Sequence, residues 1–368
     1  MERSIEKHAL KVQKRFLKKN KAMSSTNHVI HLNEKDCFVL YHLPGAQEYQ
    51  FIQMDSANEE PFGDHVFNKK GFIFHPFQKS LNNPPIFIHA DKTLINPIVN
   101  FEKQSDRYFE AQSKKEYLEL AHKFIQETEE NFQKLVLSRT LVVENKKQDL
   151  FKLFKKMLGS YPDAFIYLFN HPRSGTWMGA SPEILIAGHD NKYKSIALAG
   201  TRGLNDKNEM PDPWNQKEID EHQHVVDYIK AQLSKYASKQ KNSDPFDSKA
   251  GKVVHLRSNF SFEADKTKLP RLIHALHPTP AVCGLPKIKA MEFINNNEKH
   301  DRAYYSGYLG PVNMQQDLSL FVNLRCLQLS KSQFVLYLGG GIVSASVAED
   351  EWKETEEKAK TMLDIILQ

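Results

Sequence analysis

The sequence predicts an α+β fold, layered, in which mainly antiparallel sheets are flanked by helices in one large unit. Three observations carry this expectation. Short apolar, β-branched runs recur along the chain; the tripeptide Arg173-Ser174-Gly175 separates two of them at hairpin spacing; and long helical stretches interrupt groups of strands instead of alternating with them.

Residues 29–100 mix apolar runs (Cys37–Tyr41, Gly71–Phe77, Ile86–His89) with prolines and asparagines, which reads as short strands and turns. A helix is expected from Lys114 to Asn131. Strands are expected at Lys134–Val143, Ala164–Asn170, Thr176–Met178, Glu183–Ala187 and Tyr193–Ala199. The polar stretch Asn205–Pro213 leads into a helix over Asn215–Tyr236, and Ser238–Lys252 reads as a loop. Strands return at Leu318–Leu329 and Gln333–Leu338, before a last helix over Ala348–Leu367. No internal repeat or low-complexity segment is visible.

The chain has 368 residues, 40% hydrophobic and 26% charged, ordinary values for a soluble globular protein. No apolar run approaches the roughly 18–20 residues of a membrane span, and the N-terminus lacks a secretory pattern, so a cytoplasmic location is expected. Cys37, Cys283 and Cys326 stand far apart and read as reduced thiols. The formal net charge of +5 is local in origin. Residues 1–22 carry eight Lys/Arg against two Glu, with Ile5, Ala9, Val12 and Phe16 at helical spacing, so a basic amphipathic helix with a solvated face is expected there. The remainder is near neutrality, and no nucleic-acid partner is expected.

Two helices offer carboxylates. Glu218, Glu221 and His222 share one face of the helix near 215–236, and Glu351, Glu354 and Lys358 share a face of the last helix. If the two faces meet, a hard cation with oxygen ligands such as Mg²⁺ would relieve their repulsion. From spacing alone, two solvated charged faces remain the simpler reading. Gly339-Gly340-Gly341 follows a strand and lets backbone N–H groups approach an anion, or forms a bare turn; it matches neither a dinucleotide fingerprint nor a P-loop.

Lys134 opens the strand K-L-V-L-S-R, and if buried it can serve as a general base. Glu183 follows Pro182 into a strand, and a carboxyl in an apolar cleft can serve as a general acid. Arg325 interrupts a very apolar run and needs a buried anion. Tyr305 and His277 say less by themselves; His277 lies in a proline-rich turn, where a structural role is the default.

Nine segments occur in order: K-L-V-L-S-R (134–139), S-P-E (181–183), A-G-T-R (199–202), K-E-I-D-E-H (217–222), L-H-P-T-P-A-V-C-G (276–284), Y-Y-S-G-Y-L-G (304–310), N-L-R (323–325), G-G-G-I-V (339–343) and E-W-K-E-T-E-E-K (351–358). Together they resemble the chorismate-binding family of isochorismate, salicylate, anthranilate and aminodeoxychorismate synthases. The resemblance covers roughly residues 110–368 and implies a catalytic region over 106–368, with 1–105 a divergent N-terminal part of the same fold. It implies chorismate as substrate and Mg²⁺ held by Glu221 and Glu354, with Glu218 and Glu351 as secondary acids. It implies Arg325 and Tyr305 on the enolpyruvyl carboxylate, with Gly341 and Lys358 lining the anion site. Gly200 and Thr201 match the substrate wall, and His277 falls within a matched substrate-side motif. Glu218 departs from the Asp of many relatives, and Gly340 from the commoner Ala.

Within the family, members using ammonia typically lack lysine at the Lys134 position. Aminodeoxychorismate synthases carry a nucleophilic lysine just before the A-G-T segment, where this chain has Leu198 and Ala199. The resemblance is therefore nearest to isochorismate synthase, with salicylate synthase the nearest rival and anthranilate synthase component I a more distant one. Water would attack C2, Lys134 acting as base, and Glu183 would protonate the departing C4 hydroxyl. A monomer without a glutamine amidotransferase subunit is expected, serving menaquinone or siderophore biosynthesis. A non-catalytic protein keeping the same cleft is the rival from another class.

Overall fold

The computed structural model describes residues 28–367 apart from 103–107, 204–211, 251–252 and 315–316. The basic segment 1–22 lies outside the described residues, as does the Thr201 side chain.

Two large sheets form the middle of the molecule. The first runs, edge to edge, through Gly284–Leu285, Lys134–Glu144, Gln333–Ile342, Cys326–Leu329, Gly175–Ser181, Phe165–His171, Cys37–His42, Gln50–Met54 and Lys92–Ile95. The second runs through Ser238–Asn242, Val253–Glu263, Lys192–Gly203, Ile184–His189, Asp317–Val322, Tyr308–Met314, Gly71–His75 and Ile86–His89, with Phe246–Ala250 also paired to Val253–Glu263. Every pairing in both sheets is antiparallel; only Val29–Asn33 and Ile98–Glu102, a separate two-stranded sheet, run parallel. Strands from residues 37–95 thus extend both sheets.

The sheets pack face to face and helices cover their outer faces. Cys37–His42 is buried along its whole length for this reason. Val39 and Tyr41 enter the layer between the sheets, whereas Phe38 and Leu40 face a helical layer. Among the described residues the α-helices are α1 (Lys114–Glu130), α2 (Leu150–Ser160), α3 (Gln216–Tyr236), α4 (Leu269–Leu276), α5 (Lys287–Asn297) and α6 (Ala348–Ile366). Helices α2 and α6 pack on the first sheet, α3 and α4 on the second. Asn215 caps α3 through a reciprocal capping box with Glu218, which starts the helix where the sequence predicts. None of the described helices is long and apolar enough to cross a membrane.

Three expectations need correction. Ser238–Lys252 contains two strands, Ser238–Asn242 and Phe246–Ala250; their polar composition reflects an exposed sheet edge. The run Leu318–Leu329 is two strands in different sheets, broken at 323–325, and Arg325 at the break has φ +48°. The glycines 339–341 lie inside the strand Gln333–Ile342, paired with 136–138, and are not a turn.

Phe74 of the second sheet stacks on Tyr304 at 4.3 Å and 9°, and meets Phe169 and Trp177 of the first. Phe74→Ala should therefore destabilise the protein by about 3–5 kcal/mol through loss of burial and the cavity left behind, read as a lowered urea midpoint at unchanged slope.

Candidate active site

A cavity opens where the two sheets and helices α3 and α6 meet. It is lined by Val136, Pro182, Glu183, Leu198, Ala199, Gly200, Glu221, His255, Ala281, Val282, Tyr305, Leu324, Arg325, Tyr337, Leu338, Gly339, Gly340, Gly341, Glu354 and Lys358. Its position follows from chain topology. Gly175–Ser181 belongs to the first sheet and Ile184–His189 to the second, so Pro182 and Glu183 form a crossing between them. Asp317–Val322 and Cys326–Leu329 make the opposite crossing, which carries Leu324 and Arg325. The crossings are bonded to each other: Val322 N–H donates to Glu183 O at 2.9 Å and Ala180 N–H to Arg325 O at 3.1 Å. An acid and a guanidinium are thereby fixed at the seam.

Glu183 is buried, and desolvation pushes its carboxyl up to about 8, although Lys134 and Lys358 pull the other way. Burial also lowers the Arg325 guanidinium from its ordinary value. Arg325 forms no ion pair among the described residues, and its Nη1 donates to Lys358 O over a long 3.4 Å. Tyr305 stacks on Tyr337 with centroids 5.6 Å apart, and burial raises its phenol to about 12, so it stays a neutral hydroxyl.

Lys134 is fully buried at the start of its strand and donates from Nζ to Glu221 Oε1 at 2.7 Å. It stands behind Glu221 and Gly341, not directly on the cavity surface. Burial would raise the Glu221 carboxyl, but Lys134, with Lys217 and Lys358, holds it below its ordinary value. A Cβ at Gly341 would come within 2.1 Å of Glu221 Oε1 and 3.1 Å of Lys134 Cε. Glycine is required there by a side chain crossing the strand. Gly200 sits at φ +71° in the irregular pairing between 199 and 202, and its carbonyl faces His255 Nδ1 at 2.9 Å.

The acidic residues of α3 and α6 do not form a bare carboxylate cage, and among the described residues no preformed three-ligand metal cluster exists. Each acid has a base. Glu221 pairs with Lys134, Glu354 Oε1 with Lys358 Nζ at 2.5 Å, and Glu351 Oε1 with Lys217 Nζ at 2.5 Å. Glu218 receives a forked contact from Arg202, with Nε to Oε1 at 2.7 Å and Nη2 to Oε2 at 2.5 Å. Glu221 and Glu354 line the cavity. Glu351 lies behind Gly340, 1% exposed, and Glu218 turns away to Arg202 and the cap of α3. The Glu351 carboxyl is pushed up to about 6 by burial and by Glu354, against the pull of Lys217 and the Ser346 hydroxyl, and its Oε2 is buried with no close hydrogen-bond donor.

His277 does not reach the cavity. Its Nε2 lies 3.2 and 3.1 Å from the Pro76 and Phe77 carbonyls, and its ring packs edge-on against Tyr308, so a structural role accounts for it. His255 was missed by sequence reading. Burial and Arg325 hold its ring down to about 3, hence neutral, at the cavity wall. The available signal was a histidine set between Val254 and Leu256 on a strand, pointing to the face opposite theirs.

Residues 89–367 match the family model described as chorismate binding enzyme. The chain belongs to the chorismate-binding enzyme family. Similar proteins include the vibriobactin-specific isochorismate synthase of Vibrio cholerae, 29% identical over 240 residues, covering 62% of this chain and 61% of the relative. The isochorismate synthase DhbC of Bacillus subtilis is 33% identical over 197 residues, covering 51% and 50%. The matches thus span between half and about three fifths of these relatives. The solved structure of MenF, the menaquinone-specific isochorismate synthase from Escherichia coli, has the same fold: TM-score 0.76 at 19% identity, over 91% of this chain and 90% of that one.

Gly341→Ala tests the cavity by adding one methyl while every ionisable residue stays in the sequence. The methyl displaces Glu221 from Lys134, so affinity for a chorismate analogue in a fluorescence or calorimetric titration should fall at least about tenfold, equivalent to roughly 1.4 kcal/mol, while circular dichroism stays unchanged.

Proposed function

We propose that this protein is an isochorismate synthase, converting chorismate reversibly to isochorismate with Mg²⁺. The observation that carries the reading is a buried lysine, Lys134, serving the same cavity as a buried carboxyl, Glu183, that keeps its proton up to about pH 8. Names of relatives at about 30% identity support the same choice.

In this reading Arg325 and Tyr305 bind the enolpyruvyl carboxylate, with Lys358 and the Gly341 backbone completing the anion site. Lys134, once released from Glu221 and deprotonated, takes a proton from the water that attacks C2. Glu183 donates its proton to the C4 hydroxyl, which leaves as water while the ring double bonds shift. One water enters and one leaves, so the reaction is an isomerisation. Glu221 and Glu354, with Glu351 behind them, would hold Mg²⁺, which when bound supplies positive charge for the ring carboxylate. The all-oxygen donor set and the buried, weakly satisfied Glu351 Oε2 suit such a cation. Leu198 and Ala199 line the cavity where a nucleophilic lysine would stand, so no covalent intermediate forms. We take the enzyme to act in the cytoplasm, without an amidotransferase subunit, supplying menaquinone or a siderophore.

Chromatography after incubation with chorismate and Mg²⁺, without ammonia, should give isochorismate; salicylate with pyruvate would overturn the assignment. Lys134→Ala and Glu183→Gln should each lower kcat by about 10²–10⁴-fold while leaving the folded spectrum intact. Activity should fall as pH rises through about 8, because the raised Glu183 then loses the proton it must donate. A rate that keeps climbing with pH through that point would remove Glu183 as the acid.

A further inference from the structure

We infer that Lys217 is a built-in counter-ion that competes with the divalent cation for the acidic residues of α3 and α6, and so sets how tightly the protein binds that cation. The inference rests on the magnesium reading above and concerns this chain's own residues.

Four bases neutralise the four acids, and two of them have further attachments: Lys358 also donates to Gly339 O at 2.8 Å, and Arg202 also holds the Asp212 and Pro213 carbonyls. Lys134, paired with Glu221 behind the cavity, is fully buried and has no water to swing into. Lys217 makes its one hydrogen bond among the described residues to Glu351, and it does not line the cavity. It lies on the first turn of α3, one turn before Glu221, and reaches across to the first turn of α6. There it acts electrostatically on Glu351, Glu221 and Glu354 together. Its side chain is 25% exposed whereas that of Glu351 is 1% exposed. A flexible, partly solvated ammonium can therefore swing into water, and the acid cannot. The other oxygen of Glu351 is buried with no close donor, and beyond Lys217 this carboxylate is reached by the Ser346 hydroxyl, so one half of it is neutralised and the other half is only weakly satisfied. An adaptable cation on one oxygen and a weakly met demand on the other describe a site whose affinity is set by exchange of one positive charge for another.

The consequence can be measured without turnover. Mg²⁺ is titrated calorimetrically into the full-length protein, with and without chorismate, for wild type, Lys217→Gln and Lys217→Arg at fixed ionic strength. Removing a unit positive charge a few ångströms from the acids should tighten Mg²⁺ binding by roughly tenfold or more in Lys217→Gln, and Lys217→Arg should bind as wild type does. The Mg²⁺-dependent rise in melting temperature must follow the same order, which keeps the comparison usable if Lys217→Gln is less stable. Unchanged or weaker Mg²⁺ binding by Lys217→Gln beside a binding wild type overturns the role of Lys217 and leaves the magnesium reading intact. No Mg²⁺ binding by any of the three proteins, even with chorismate, overturns both.

Discussion

The ion pair between Lys134 and Glu221 is the constraint on which the rest of the site depends. Lys134 opens a strand of the first sheet, and Glu221 lies on α3, which packs against the second. Their 2.7 Å contact joins the two halves of the molecule beside the cavity. A buried pair of this kind carries a desolvation cost that only good geometry offsets, and removing one partner leaves a charge stranded at a cost of about 3–5 kcal/mol. The glycine at 341 follows from the same contact, because any side chain there would occupy the place of the Glu221 carboxylate.

The two crossings between the sheets explain why the remaining groups face one space. Glu183 and Arg325 lie on segments that travel in opposite directions and hydrogen-bond to each other, so neither moves without the other. Arg325 takes a left-handed backbone, φ +48°, a conformation that costs a non-glycine residue about 1–2 kcal/mol. That strain is sustained by the bonded crossing, and the guanidinium is delivered to the cavity.

Much of this was legible in the sequence where residue type contradicted its surroundings. An arginine within an apolar run and a glutamate after Ser-Pro at the start of another each marked a candidate for a buried ionisable group. Periodicity placed α1, α3 and α6 within a residue or two of their ends. It failed where composition misleads: Ser238–Asn242 is polar because it forms an exposed edge, and 318–329 is predominantly apolar throughout although it changes sheets midway. The spacing of Glu218, Glu221, Glu351 and Glu354 suggested one cluster, but spacing is blind to the partners that come from elsewhere, so Arg202 and Lys217 could not be assigned. Among the described residues, 28–100 contribute no side chain to the cavity lining, yet they lengthen both sheets. Such strands need only alternate correctly and fill volume, which many sequences do, and that is why no motif marks them.

The strand Lys134–Glu144 has as neighbours Gly284–Leu285 and Gln333–Ile342, both of which follow it in the chain. During synthesis its apolar edge waits for partners roughly 150–200 residues downstream, so closure depends on contacts of long sequence separation, the kind that slow folding. The wall that holds Lys134 is thus among the last parts to be completed, and until then an unpaired β-edge is open to association with other chains. Low expression temperature or chaperone assistance should matter more to the yield of this protein than its ordinary composition suggests.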